Sequence, residues 1–193
     1  MGHPEQPVLI WGNINDSVAR GVRVDSSAHA IVSIEYDHHE VHEGSSFVVT
    51  DVQNVDSTSM QWMITTPNTT KYAHMIFDIH GTGELQAVLT EGADRTGTNA
   101  LTVINRRRVG TPTAATVTVH RVVSGGATDG ATTIFSLRAG ATGGGNKTVS
   151  TGGHRGMNEY ILKPDTKYIV TITTYANIYV SFHIVWYEHT DRN

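Results

Sequence analysis

Residues 37–43 read Asp-His-His-Glu-Val-His-Glu, seven consecutive positions with three imidazoles and three carboxylates. Both groups are common ligands of zinc and other transition metals, so metal binding is the first chemistry to weigh. Read as a strand, the segment turns His38, Glu40 and His42 to one side and His39, Val41 and Glu43 to the other. A metal site in a β-barrel draws ligands from several strands, and no further ligand stands at a fixed spacing from these. The His-x-His pattern followed by Glu, known from double-stranded β-helix metal proteins, is not matched. The expectation is no metal and no cofactor. His38, His39 and His42 are instead candidate contacts to a neighbouring subunit, at a polar strand end.

Arg106-Arg107-Arg108 is the second concentration of chemistry. A basic run can meet phosphate or an acidic protein surface. The whole chain has a formal net charge of −4, so direct nucleic-acid binding is not expected, which leaves a solvated loop or a salt-bridging contact to an acidic protein surface. Gly140–Thr148 has the look of a degraded phosphate loop. Asn146 replaces the glycine needed before Lys147-Thr148, and the following VSTGGHRG is no helix, so nucleotide binding is not expected. Three Asn-x-Ser/Thr triplets, at Asn15, Asn68 and Asn146, are chance matches in a Thr-rich chain. There is no Gly-x-Ser-x-Gly elbow and no close carboxylate pair, so no enzymatic activity is expected. The third candidate contact is apolar: Leu9, Ile10 and Trp11, with Val8, form a knot between Pro7 and the turn-rich Asn-Ile-Asn-Asp-Ser, either a short edge strand over the chain's own core or an anchor on another subunit.

These groups need a scaffold, and the composition says which kind. Thr, Val and Ile make up about a third of the 193 residues, and Leu and Ala only about a tenth. β-branched side chains suit a pleated surface and lose rotamer freedom in a helix. Period-two runs recur at His29–Tyr36, Ser46–Gln53, Met60–Thr66, Ala73–His80, Glu84–Thr90, Leu101–Asn105, Thr116–Val123, Thr132–Arg138, Glu159–Lys163, Lys167–Thr174 and Asn177–Glu188. In the last run Ile178, Val180, Phe182, Ile184 and Trp186 share one face, which pins its register. Gly81 and Gly83 between two such runs predict a hairpin, and Pro164-Asp165-Thr166 predicts a turn. Gly140–Gly153 predicts a long glycine-rich loop. Many short strands at this spacing mean an all-β sandwich or barrel. Residues 1–25 read as an extended N-terminal arm and residues 26–193 as a single β domain. Mean hydropathy is −0.22, and no apolar run is long enough to span a bilayer, so no membrane partner is expected. There is no Cys and no signal-peptide pattern at the start, so the expectation is synthesis in a reducing cytoplasm.

Several segments resemble a known family. They are Gly21-Val22-Arg23-Val24-Asp25 with His29-Ala30, the run Ile34–Phe47, the run Asn158–Tyr168 (NEYILKPDTKY) and Trp186-Tyr187-Glu188-His189. Together they are similar to structural proteins of tailed bacteriophages, of the capsid-decoration or cement kind, from about residue 21 to the end. The resemblance implies an antiparallel, jelly-roll-like β-sandwich. It also implies a virion location on the capsid surface after synthesis in the host cytoplasm, the major capsid protein as partner, and self-association as a homotrimer. Two other readings stay open. One is a receptor- or glycan-binding fibre or tail module using Trp62, Tyr72, Asn68 and Asp78. The other is a metal-dependent barrel enzyme using His38, His39, His42 and Glu43.

Overall fold

The computed structural model describes residues 36–140, 149–150 and 159–190. The chain forms two compact units, Met1–His39 and Glu40–Asn193. The first contributes only residues 36–39 to the described set, so the expected boundary after residue 25, the arm with Leu9, Ile10 and Trp11, and the His29–Tyr36 strand up to residue 35 lie outside it. So does the Gly140–Gly153 loop, apart from Gly140 and Val149–Ser150.

The expected β architecture is observed. The elements are α1 (Tyr36–Glu43), β1 (Ser46–Asp56), β2 (Ser59–Thr65), β3 (Lys71–Gly81), β4 (Leu85–Glu91), β5 (Thr96–Ala100), β6 (Ile104–Asn105), β7 (Thr118–Ser124), β8 (Thr132–Ala139), β9 (Val149–Ser150), β10 (Glu159–Leu162), β11 (Lys167–Thr174) and β12 (Asn177–Thr190). One antiparallel sheet runs β10-β3-β12-β1-β6, with β9 also on β3, and the other runs β5-β7-β2-β11-β4-β8. The pairing is nested: β1 with β12, β2 with β11, β3 with β10 and β4 with β8. A long antiparallel ribbon folded in this order across two sheets is a jelly roll.

Alternation decides what lies between the sheets. On β12, Ile178, Val180, Phe182, Ile184 and Trp186 are all buried, as their shared face requires. They meet Phe47, Val49 and Val55 of β1, Met75, Phe77 and Ile79 of β3, and Trp62, Tyr168, Val170, Ile172, Leu85 and Leu89 from the second sheet, in one continuous cluster. The Trp62 indole stacks on Phe182 with centroids 4.9 Å apart, and Trp186 tilts against Phe47 at 5.7 Å.

Two sequence expectations are corrected. The segment 36–43 is a helix and not a strand end. Its last turn closes through Ser45 N–H on Glu40 O (3.0 Å) and Gly44 N–H on Val41 O (3.2 Å), and Gly44 has φ +77°. This is a Schellman stop, which a glycine permits because it has no Cβ to clash in the left-handed region. The Ser45 hydroxyl also donates to the Glu40 carboxylate, so the helix end competes successfully with extension of β1. The Gly81/Gly83 segment is not a hairpin, because β3 and β4 lie in different sheets. A Cβ on Gly81 would sit 2.4 Å from Leu85 Cδ2, and one on Gly83 2.7 Å from Ile178 Cγ2. The glycines let the chain cross from sheet to sheet tight against the core. The Pro164 turn forms as expected, with Asp165 at φ +49°. No helix among the described residues is long and apolar enough to cross a membrane.

Phe182 is fully buried beneath Trp62. Phe182→Ala should therefore cost about 3–5 kcal/mol in a denaturant titration, the range for aromatic deletions in cores. A second expectation concerns acid. The Glu91 carboxylate receives Lys163 Nζ at 2.6 Å and the Tyr168 hydroxyl at 3.0 Å. The Lys163 hydrogen bond leads in holding Glu91 below its ordinary value of 4.5, against an opposing push from burial. A depressed folded-state value gives stability that is present above the ordinary value and lost as pH falls through the lowered one. Lys163 is well exposed, so the effect is under about 1 kcal/mol. The melting temperature of Glu91→Gln should fall less than that of the parent between pH 6 and 3, roughly the span over which a carboxylate of this kind titrates.

Candidate functional site

The described core is one cluster of apolar side chains, and the polar groups able to do chemistry stand on its perimeter. The most built feature there is the connection from β6 to β7. Residues 107–114 are all exposed, Val109 at 71%. Yet both ends of the connection are fixed by buried polar side chains.

Asn105 closes the loop. Its side chain is 6% exposed, Nδ2 donates to Gly44 O (2.7 Å) and to Thr113 O (2.9 Å), and Oδ1 accepts the Arg107 N–H (2.8 Å). One amide thus ties the loop's start to its end and both to the stop of α1. A compact surface loop with its ends held together in this way is an Ω-loop, a type frequently functional. Arg106 continues the anchoring, with its N–H on Ser46 O (2.9 Å) and Nη1 on Ser46 Oγ (3.2 Å).

Glu188 fixes the other end from inside the sandwich. It is 5% exposed and follows the inward alternation of β12 past Trp186. Oε1 accepts Val117 N–H (3.1 Å) and Trp186 Nε1 (3.0 Å), Oε2 accepts the Thr116 hydroxyl (2.6 Å), and both oxygens lie 3.0 Å from Thr116 N. A carboxylate taken out of water needs this many donors, and charged acceptors make the stronger hydrogen bonds. The clamp holds the chain just where it enters β7.

Between loop and helix stop lies a cleft of ≈ 140 Å³ lined by Glu43, Gly44, Ser45, Lys71, Thr113, Thr116 and Glu188, among others. It is small, and the Glu188 oxygens that face it are already committed to Thr116 and Val117. It has the character of a seam and not of a substrate pocket.

Of the expected contact residues, the arginine run and His42 lie at this place. Arg107 and Arg108 stand exposed at the loop with no ion pair among the described residues, and the Arg107 side chain lies over Gly44. His42 is exposed two residues earlier, on the last turn of α1. His38 and His39 are exposed on the same helix, where faces repeat every three to four residues and not every two. Leu9, Ile10 and Trp11 lie outside the described residues.

Among the described residues no group of three or more His, Asp or Glu is arranged to hold a metal ion. The proposed glycan set does not assemble. Trp62 is fully buried in the core with Nε1 on Asp51 (2.9 Å), while Asp78 alternates to the outer face of the other sheet beside His80 and His183.

Sequence reading missed Asn105 and Glu188. Glu188 did stand in the distinctive Trp-Tyr-Glu-His run, which the structure explains residue by residue. Trp186 fills the core, Glu188 clamps the loop, and Tyr187 and His189 stack with His74 on the outer face, His74 and His189 joined at 2.9 Å. In the other distinctive run Lys163 N–H donates to the Tyr168 hydroxyl at 2.8 Å across the Pro164 turn. Burial is the leading cause holding the Tyr168 phenol above its ordinary range. Both motifs are architectural.

No protein-family model matches the chain, and no curated protein or solved structure matches it either.

Asn105→Ala strands Gly44 O, Thr113 O and Arg107 N–H. It should cost about 1–3 kcal/mol and accelerate hydrogen exchange at the Arg107 amide well beyond the global effect. Glu188→Gln keeps the size but presents an NH₂ to a set of donors, and should cost at least about 2 kcal/mol in the same titration.

Proposed function

We propose that this chain is a non-enzymatic structural component of a tailed-bacteriophage virion. In this reading it is a capsid decoration protein, synthesised in the host cytoplasm, that assembles on the head surface as a homotrimer. There it clamps neighbouring major capsid subunits. The observation that carries the reading is the Asn105-closed loop. It presents two exposed arginines with no ion pair among the described residues, next to the apolar Val109, on a base fixed by two buried polar side chains. Arg is the cation best suited to protein interfaces, because its planar fork can bind a carboxylate with two parallel hydrogen bonds. A rigid base lowers the ordering cost of docking.

Three further points support it. The sequence resemblance from residue 21 onward is to such proteins. Jelly rolls recur in capsid domains, an analogy of architecture and not of mechanism. A closed threefold oligomer suits the threefold positions of an icosahedral shell, where linked weak contacts add to a strong total.

The test is to add purified protein to heads lacking it and image the particles. The parent chain should occupy the capsid lattice. Arg107→Ala/Arg108→Ala should keep its melting temperature, since surface changes cost within about 0.5 kcal/mol, yet lose occupancy. The binding of the parent should also weaken with salt. Finding the chain on a tail, or nowhere on the particle, overturns the reading.

A further inference from the structure

The sheet containing β12 ends in an unusual edge. β1 pairs with β12 over its whole length, from Ser46 to Asp56, with no bulge. On its other side β6 covers only Phe47 and Val48. Two hydrogen bonds fix which backbone groups face which way: Glu188 N–H donates to Ser45 O, and Arg106 N–H to Ser46 O. Odd-numbered residues of β1 therefore face β12, and even-numbered ones face the edge. After Val48 the chain of β6 departs, so the N–H and C=O groups of Thr50, Val52 and Asn54 point outward along an edge that no other described strand covers. All three residues are exposed, Val52 at 54%.

Open edges are templates for another strand, and proteins blunt them with Lys, Pro or bulges. Thr50-Asp51-Val52-Gln53-Asn54 has none of these. Its one charge, Asp51, is turned onto Trp62 Nε1, Gln53 Nε2 (2.7 Å) and Arg121 (3.4 Å), away from an incoming strand. Thirty-five residues precede the first described one. They contain Val8-Leu9-Ile10-Trp11, four residues of high strand propensity and large apolar area. Pro7 is tolerated at the start of an added strand, and with Pro4 it stops the new edge from templating a further one.

We propose that Val8–Trp11 of a second copy of this chain adds as a short strand to the Thr50–Asn54 edge of β1. The inference rests on the reading of the protein as an oligomer and names the contact that would make it one. Main-chain hydrogen bonds supply the pairing, as in other strand additions, and Trp11 supplies the anchor.

The absence of Cys makes the test clean. Ile10→Cys protein is mixed with isotope-labelled Thr50→Cys, Val52→Cys or Asn54→Cys protein, oxidised, and mapped by mass spectrometry. At least one pairing should give a link between labelled and unlabelled chains. A double variant such as Ile10→Cys/Val52→Cys that links only within one chain overturns the proposal in favour of an arm that folds back, and so does the lack of any arm-to-edge link. In parallel, Val52→Pro removes an edge-facing N–H that pairs with no described residue. It should weaken self-association in sedimentation by about tenfold or more while circular dichroism stays that of the parent. Unchanged association of a folded Val52→Pro protein also overturns the proposal, and if this variant does not fold the cysteine pairs decide alone. A trimer that forms without an arm-to-edge link refutes this contact and leaves the capsid reading standing. A linked oligomer that does not bind heads does the reverse.

Discussion

The ladder of β12 with its two neighbours is the constraint on which the rest of the structure depends. β12 is hydrogen-bonded over eleven positions to β1, from Ser46↔Tyr187 to Asp56↔Asn177, and over eleven to β3, from Gly81↔Val180 to Lys71↔Thr190. Its side chains alternate without interruption, so a slip of one residue would turn Phe182, Ile184 and Trp186 to water and bring His183 inside. The same alternation puts Glu188 inward at the end of the strand and Tyr187 and His189 outward. A single register thus sets the core, the loop clamp and the outer-face ring stack. Because β1 opens the described sandwich and β12 closes it, this register is a long-range constraint, and it must form between segments well over a hundred residues apart.

Three little-exposed carboxylates at the rim of the core, Glu188, Asp51 and Glu84, are each met by donors from a segment that needs positioning. Glu188 holds the entrance to β7. Asp51 takes the Trp62 indole and joins β7 to β1 through Arg121. Glu84, at the sheet crossing, accepts two bonds from Arg138 of β8, whose guanidinium also lies 4.4 Å from the Tyr175 ring centroid. Outside the second sheet, Asp129 receives Arg95 Nε (2.6 Å) and Gln61 Nε2 (2.8 Å). Removing one partner from such a set costs more than the net worth of the bonds, because the other group stays desolvated. These contacts are therefore better regarded as fixing where loops go than as sources of net stability.

The strands were legible in the sequence because a half-buried strand has to alternate. The final run, with five apolar residues at even spacing, is the clearest case. What failed was whatever depends on the third dimension. The helix 36–43 has too few turns for a periodic signal, and its polar residues also suit a strand end. Gly44 after His42-Glu43 was the one readable clue. Gly81 and Gly83 have the composition of a turn, but composition does not reveal whether the next strand pairs with the last or crosses to the other sheet. β5 was missed because Thr-Gly-Thr-Asn-Ala alternates nothing, and its Gly97 is there because a Cβ would meet His120 at 2.5 Å. Asn105 and Glu188 look like any polar residue at the end of a strand. Their roles exist only once Gly44, Thr113 and Thr116 have been brought beside them.

The two features of interest lie along one strand of the jelly roll. β6 and the Arg107–Val109 loop sit at the N-terminal end of β1, and the open edge begins at Thr50, two residues past the last one β6 covers. The two differ in what they recognise. Main-chain hydrogen bonding along an edge is indifferent to side chains, so it gives affinity without choosing a partner. Arginines on a rigid loop do the opposite, since a carboxylate must stand in the right place to be bound twice. An edge alone would invite indiscriminate strand addition, and a loop alone would bind weakly in salt. In the assembly proposed above, each supplies what the other lacks, at neighbouring points along β1.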